Sequence, residues 1–150
     1  MKKVRCSWPF FNEKEQSNNV WFLDSSCSNH MSGTRSLFKE LDESDKTDVT
    51  LGDSKNIGVE GRGTINIKTS QGNAKILQDV MLVPGLSHNL LSIGQLMISG
   101  YSILFDDGFC TIKDKKYGQI TAKVPMAKNK MFPLEVSMIE NYAMVANGDK

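Results

Sequence analysis

Apolar and polar positions alternate along this chain in short runs, and no run is long enough for a major helix. Residues 20–23 form an apolar run that predicts a strand, and it ends abruptly on Asp24 and a group of small polar residues. From residue 57 the odd positions Ile57, Val59, Gly61, Gly63, Ile65 and Ile67 share one face of an extended strand, because side chains alternate with period two. Two glycines on that face predict a bend or a close backbone approach. Residues 76–83 are apolar apart from Gln78 and Asp79, which predicts a strand covered on both faces and stopped by Pro84-Gly85. Residues 90–98 predict a buried turn leading into a short helix, with Gly100 as its stop.

Two hairpins stand out. Residues 49–51 and the strand from Ile57 flank the turn residues Gly52, Asp53, Ser54, Lys55 and Asn56, and residues 101–105 and 109–113 flank Asp106-Asp107-Gly108. Further strands are predicted around residues 119–124 and 130–136. Leu37 and Phe38 with Leu41 suggest one helical turn, and the charged run 39–48 reads as a solvated loop. Many short strands punctuated by turns predict an all-β barrel or sandwich. The organisation expected is a polar linker or tail over residues 1–19, a β domain over 20–136 and a tail or linker over 137–150.

Composition narrows the picture. At 150 residues the chain fits one domain with a real core. With 18 basic against 17 acidic residues the net charge is +1, so nothing in the overall balance asks for nucleic acid as a partner. Cys6, Cys27 and Cys110 are an odd number at wide spacing, which argues against a disulfide framework and for a reducing compartment. Met1-Lys2-Lys3 looks like the start of a signal segment, but the apolar part that follows is broken by Pro9 and ends at Asn12. No stretch approaches a membrane span, so no membrane partner is expected and a cytoplasmic location is.

Asp24 is the residue with chemical interest. An isolated carboxylate at the end of a buried strand must be paired, hydrogen-bonded or protonated, so Asp24 is either a capping residue or a reactive one. Cys27 and His30 have a spacing that invites zinc, yet a structural site wants four ligands, and Cys6, His88 and Cys110 do not supply them in any motif. Neither a metal nor a cofactor is expected. Cys27 reads as a small core residue and His30 as a local hydrogen-bonding group. A Ser/His or Cys/His nucleophile lacks an orienting third group.

The stretch Trp21-Phe22-Leu23-Asp24-Ser25-Ser26-Cys27-Ser28-Asn29-His30-Met31 is followed, in order, by Leu82-Val83-Pro84-Gly85-Leu86 and Asn89-Leu90-Leu91-Ser92-Ile93-Gly94-Gln95-Leu96. Ile103-Leu104-Phe105 and Cys110-Thr111-Ile112 come after these. Together they resemble the aspartic protease region in the Pol polyprotein of copia-type LTR retrotransposons, particularly the plant TNT-type elements, over about residues 21–136. The resemblance implies a small closed retropepsin-like β-barrel with one short helix. It also implies that Asp24, Ser25 and Ser26 form the catalytic loop, that residues 52–56 form a flap over the substrate, and that Leu91-Ser92-Ile93-Gly94 packs beneath the loop as a support. The chain holds one copy of the motif, so the second carboxylate would come from another molecule, and the implied enzyme is a homodimer. The implied substrate is the Gag-Pol precursor, processed in the cytoplasm or in a virus-like particle. Ser26 stands where that family has glycine, and a Cβ with a hydroxyl crowds a close backbone contact. A catalytically inactive β-barrel remnant or a host-adopted interaction module is therefore the second reading.

Overall fold

Residues 4–5, 19–44, 47–50 and 56–139 are described by the computed structural model. Their elements are β1 (Val4–Arg5), β2 (Val20–Asp24), β3 (Met31–Ser32), a 3-10 turn (Arg35–Leu37), β4 (Glu40–Asp42), β5 (Thr47–Thr50), β6 (Asn56–Val59), β7 (Gly61–Lys68) and β8 (Ala74–Leu82). After these come β9 (Asn89–Ser92), the single α-helix α1 (Ile93–Ile98), β10 (Tyr101–Asp106), β11 (Phe109–Asp114), β12 (Gln119–Pro125), β13 (Phe132–Glu135) and β14 (Ser137–Met138).

The largest sheet runs β13-β2-β9-β3-β8-β7-β14, with β4 also paired to β7. Two three-stranded sheets, β1-β5-β6 and β10-β11-β12, complete the set. The all-β expectation with one short helix is met, but among the described residues no sheet closes on itself into a barrel. The large sheet instead ends on β13 at one side and on β4 and β14 at the other.

Apolar residues cover both faces of the central strands. Trp21 and Leu23 of β2, Leu91 of β9 and Val80 of β8 join one core with Ile65, Ile67, Ile112 and Val124. Leu90 of β9 and Met81 of β8 turn the other way, into a second core with Met31, Val83 and Leu86. Burying such side chains stabilises by about 1.5–3 kcal/mol each. This is the physical reason that β2 presents Asp24 from a fixed frame.

Local signals act as their chemistry dictates. Asp107 and Gly108 both have positive φ, 54° and 78°, and Asp106 lies opposite Phe109, so two residues close the β10–β11 hairpin in a type I′ turn. Ser92 caps α1 by accepting from the Gln95 amide at 3.0 Å, and Gly100 ends the segment at φ 103°. Along β7 Ile65 and Ile67 are buried as the alternation predicts, although Asn66 between them is buried too, and a bulge between Gly63 and Ile65 sets two residues of β8, Gln78 and Asp79, against the one residue Thr64.

The two glycines of β7 mark a close approach, as predicted. A Cβ at Gly63 would overlap the Glu40 carbonyl of β4, which crosses antiparallel with Leu41 opposite Gly63. The solvated-loop reading of residues 39–48 is corrected to that extent: Glu40–Asp42 is an edge strand, although the Glu40 and Asp42 side chains stay exposed, and Thr47 and Asp48 already belong to β5, opposite Val59 and Gly58. Gly63→Ala is expected to lower stability by about 1–3 kcal/mol through overpacking, read as an earlier urea midpoint, whereas Gly58→Ala, with open space around its Cβ, should shift it little. Ser137–Met138, assigned to the tail on sequence, adds to β7 opposite Lys68 and Ile67. Val4–Arg5, within the expected linker, pairs in parallel with β5.

Candidate functional site

Asp24 is the last residue of β2 and lies opposite Ser92, the last residue of the parallel strand β9. The pairing sets the acid beside the start of α1. Asp24 is half-buried, while Ser25 and Ser26 are exposed. The Ser26 amide and hydroxyl both donate to Asp24 Oδ1, at 2.8 and 2.6 Å, which closes an Asx-type turn and fixes the plane of the carboxylate. The three residues named from sequence are thus brought together in one loop. Ser26 is not among the residues with positive φ, so within this chain the position needs no glycine conformation.

Cys27 is disulfide-bonded, whereas Cys110 is a buried free thiol. The odd cysteine count argued against a disulfide framework, and one disulfide is nonetheless present at Cys27. Its Sγ lies 3.3 Å from Asp24 Oδ2, and as a disulfide sulfur it carries no proton to donate. Burial pushes the Cys110 thiol up to about 11, the direction of an inert core cysteine.

Beneath the loop lies a second layer that sequence reading only partly found. The Ser92 hydroxyl donates to the Cys27 carbonyl at 2.7 Å, and the Ser92 amide donates to His30 Nδ1 at 2.9 Å. That bond puts the imidazole proton on Nε2. The His30 amide donates to Gln95 Oε1 at 2.9 Å, and Gln95 Nε2 donates to the Gln78 and Asp79 carbonyls at 2.8 and 3.3 Å. Burial pulls the His30 imidazole down to about 4, while the Asp79 charge pulls weakly upward. Ser92 was anticipated only as part of a support, His30 only as a local group, and Gln95 was not singled out. The available signal was the presence of Asn89, Ser92 and Gln95 inside an apolar run, since a polar residue there must have a partner.

Gly52, Asp53, Ser54 and Lys55 of the expected flap lie outside the described residues. Asn56 opens β6, and the arms β5 and β6 pair antiparallel with Thr50 opposite Asn56, in keeping with a hairpin.

Comparison with known proteins fixes the family. Residues 21–101, from Trp21 of β2 through the helix to Tyr101, match the family described as Pol polyprotein, beta-barrel domain. The chain belongs to this family. Similar to this Pol β-barrel domain is a putative transposon Ty5-1 protein of Saccharomyces cerevisiae, 38% identical over 76 residues that make up 51% of this chain and 49% of the yeast protein. The retrovirus-related Pol polyprotein from transposon TNT 1-94 of Nicotiana tabacum is 33% identical over 102 residues, 64% of this chain and 8% of that polyprotein. The matches thus span about half the length of the first relative and a small part of the second. No solved structure matches. The sequence resemblance to the Pol region of copia-type retrotransposons is thereby established, and the Asp24 loop with its supporting Ser92 and Gln95 lies inside the family match.

Proposed function

We propose that this Pol β-barrel domain is an aspartic-type endopeptidase that works as a homodimer on the Gag-Pol precursor. The observation that carries the reading is a half-buried carboxylate at the end of a doubly packed strand, with Oδ1 held by two Ser26 donors. In the dimer, two Asp24 carboxylates at the two-fold axis share one proton, because close like charges cannot both ionise, and they titrate as a unit. The ionised member takes a proton from water as its oxygen attacks the scissile carbonyl. The protonated member gives its proton to the carbonyl oxygen, and collapse of the tetrahedral species passes a proton to the leaving amine. By the family resemblance residues 52–56, of which 52–55 lie outside the described residues, would serve as the flap that excludes water from the peptide.

The test is cleavage of a polyprotein-derived peptide. Wild type should cut it with inhibition by a pepstatin-type compound, and Asp24→Asn should lose about 10²–10⁴-fold in kcat with its fold intact. A second reading, a non-enzymatic β module, follows from the residue at position 26, where Ser26 stands in place of the glycine of the motif that the stretch resembles. Absence of cleavage by wild type and by Ser26→Gly alike would decide for the module.

A further inference from the structure

We propose that His30, acting through Ser92 and together with Gln95, is a positioning residue for the Asp24 loop, setting the place of the carboxylate from the bulged strand β8 and the start of α1. The inference rests on the endopeptidase reading for its kinetic consequence and on the geometry alone for its structural one.

The loop between β2 and β3 is tied at three points. Asp24 holds its first turn through Ser26, the Cys27 carbonyl is held by the Ser92 hydroxyl, and the loop's end is held at His30 by its amide bond to Gln95 and its ring bond to the Ser92 amide. Ser92 is fully buried, and both of its donors are committed to this loop, one at Cys27 and one at His30. The Ser92 amide therefore depends on an acceptor at the His30 ring, since a buried N–H without a partner is costly. Only a neutral imidazole with its proton on Nε2 supplies that acceptor.

Gln95 extends the tie to β8. The bulge at Gln78 and Asp79 withdraws backbone groups from regular pairing with β7, and Asp79 is turned to φ 58°. Gln95 Nε2 takes up the carbonyls of both residues, while its Oε1 takes the His30 amide. One side chain thus couples a bulge to the end of the Asp24 loop, and bulges beside functional sites commonly re-aim a neighbouring group. His30 touches no reacting atom in this scheme; it acts through the backbone of Ser92 and Cys27.

The experiment compares the full chain with His30→Leu, His30→Asn and Gln95→Met. Amide exchange is followed by NMR at Ser26 and Ser92, alongside kcat and KM on the peptide substrate. His30→Leu fills the space without an acceptor, so exchange at both amides should quicken about tenfold or more. For the same variant kcat should fall about 10- to 100-fold with KM little changed, because a small displacement of a reacting group is felt in the chemical step. His30→Asn presents an amide oxygen near the position of Nδ1 and should restore most of both. Gln95→Met, at a half-buried position, should quicken exchange in the same direction and guards against a His30→Leu chain that does not fold. Unchanged amide exchange in Gln95→Met, or an Asn variant as impaired as the Leu variant, would overturn the positioning role. If wild type does not cleave, the endopeptidase reading falls by itself, and the amide exchange still decides this inference.

Discussion

Lowering the pH from 7.5 to 4 is expected to remove about 3 kcal/mol of folding stability through His30 alone. The buried imidazole stays neutral in the fold, with its pKa drawn from 6.5 to about 4 by desolvation and only partly opposed by Asp79. In the unfolded chain the same ring takes up a proton near pH 6.5. A depressed folded value means that the unfolded state binds the proton first, so this contribution is complete above pH 6.5 and declines as the pH falls through 6.5 towards 4. A displacement from 6.5 to about 4 corresponds to about 3 kcal/mol. Urea unfolding at several pH values should show the loss, and His30→Asn, which has no group to titrate there, should show a much flatter profile. Equal pH dependence in the two proteins would contradict the account. Asp42 and Asp114, both drawn below the usual carboxylate range, by hydrogen bonds from Ser44 and from Lys75 respectively, add acid sensitivity mainly below this window, as the pH falls under their ordinary value of 3.8.

Trp21→Ala should be the most damaging single substitution in β2. Trp21 is fully buried, lies opposite Leu134 on one side and Asn89 on the other, and belongs to the core that holds Leu23, Leu91 and Val80. Deleting such a side chain costs about 3–5 kcal/mol. Against a total stability of about 5–15 kcal/mol, the loss would leave a substantial unfolded fraction under mild denaturant. Trp21→Phe should cost far less. The Trp21 Nε1 is buried and has no hydrogen-bond partner among the described residues, so phenylalanine removes an unsatisfied donor as well as volume. Chemical denaturation of the two variants separates packing from polarity: equal losses would mean that the indole volume is not what supports the strand carrying Asp24.

How far the sequence foretold this architecture depended on whether a signal was local. The Asp107-Gly108 hairpin and the Ser92-capped helix before Gly100 each carry their cause within a few residues, whereas the strand expected to be covered on both faces over 76–83 is so only from Val80 onward, with Ile76 56% exposed. The Asp24 loop was likewise legible, both as an acid ending an apolar run and through its family motif. The short strands β1, β4 and β14 were not, because two or three residues show no alternation. For β4 it is the room left by Gly61 and Gly63 that admits its backbone. The layer under Asp24 was hidden for a related reason. His30 meets Ser92 and Gln95 across 62 and 65 residues of sequence, through parallel pairings and a bulge that no local pattern announces. Closure of a barrel was inferred from resemblance, and open edges at β13 and at β4 and β14 stand in its place.

The most direct test of the shared-carboxylate account is subunit mixing. The rate of peptide cleavage is followed as the wild-type chain is diluted, and again as Asp24→Asn chain is added in excess at constant wild-type concentration. The account predicts that specific activity falls on dilution and that added Asp24→Asn chain suppresses the remainder by forming mixed pairs with one carboxylate. Specific activity independent of concentration, together with indifference to the Asp24→Asn chain, would contradict it.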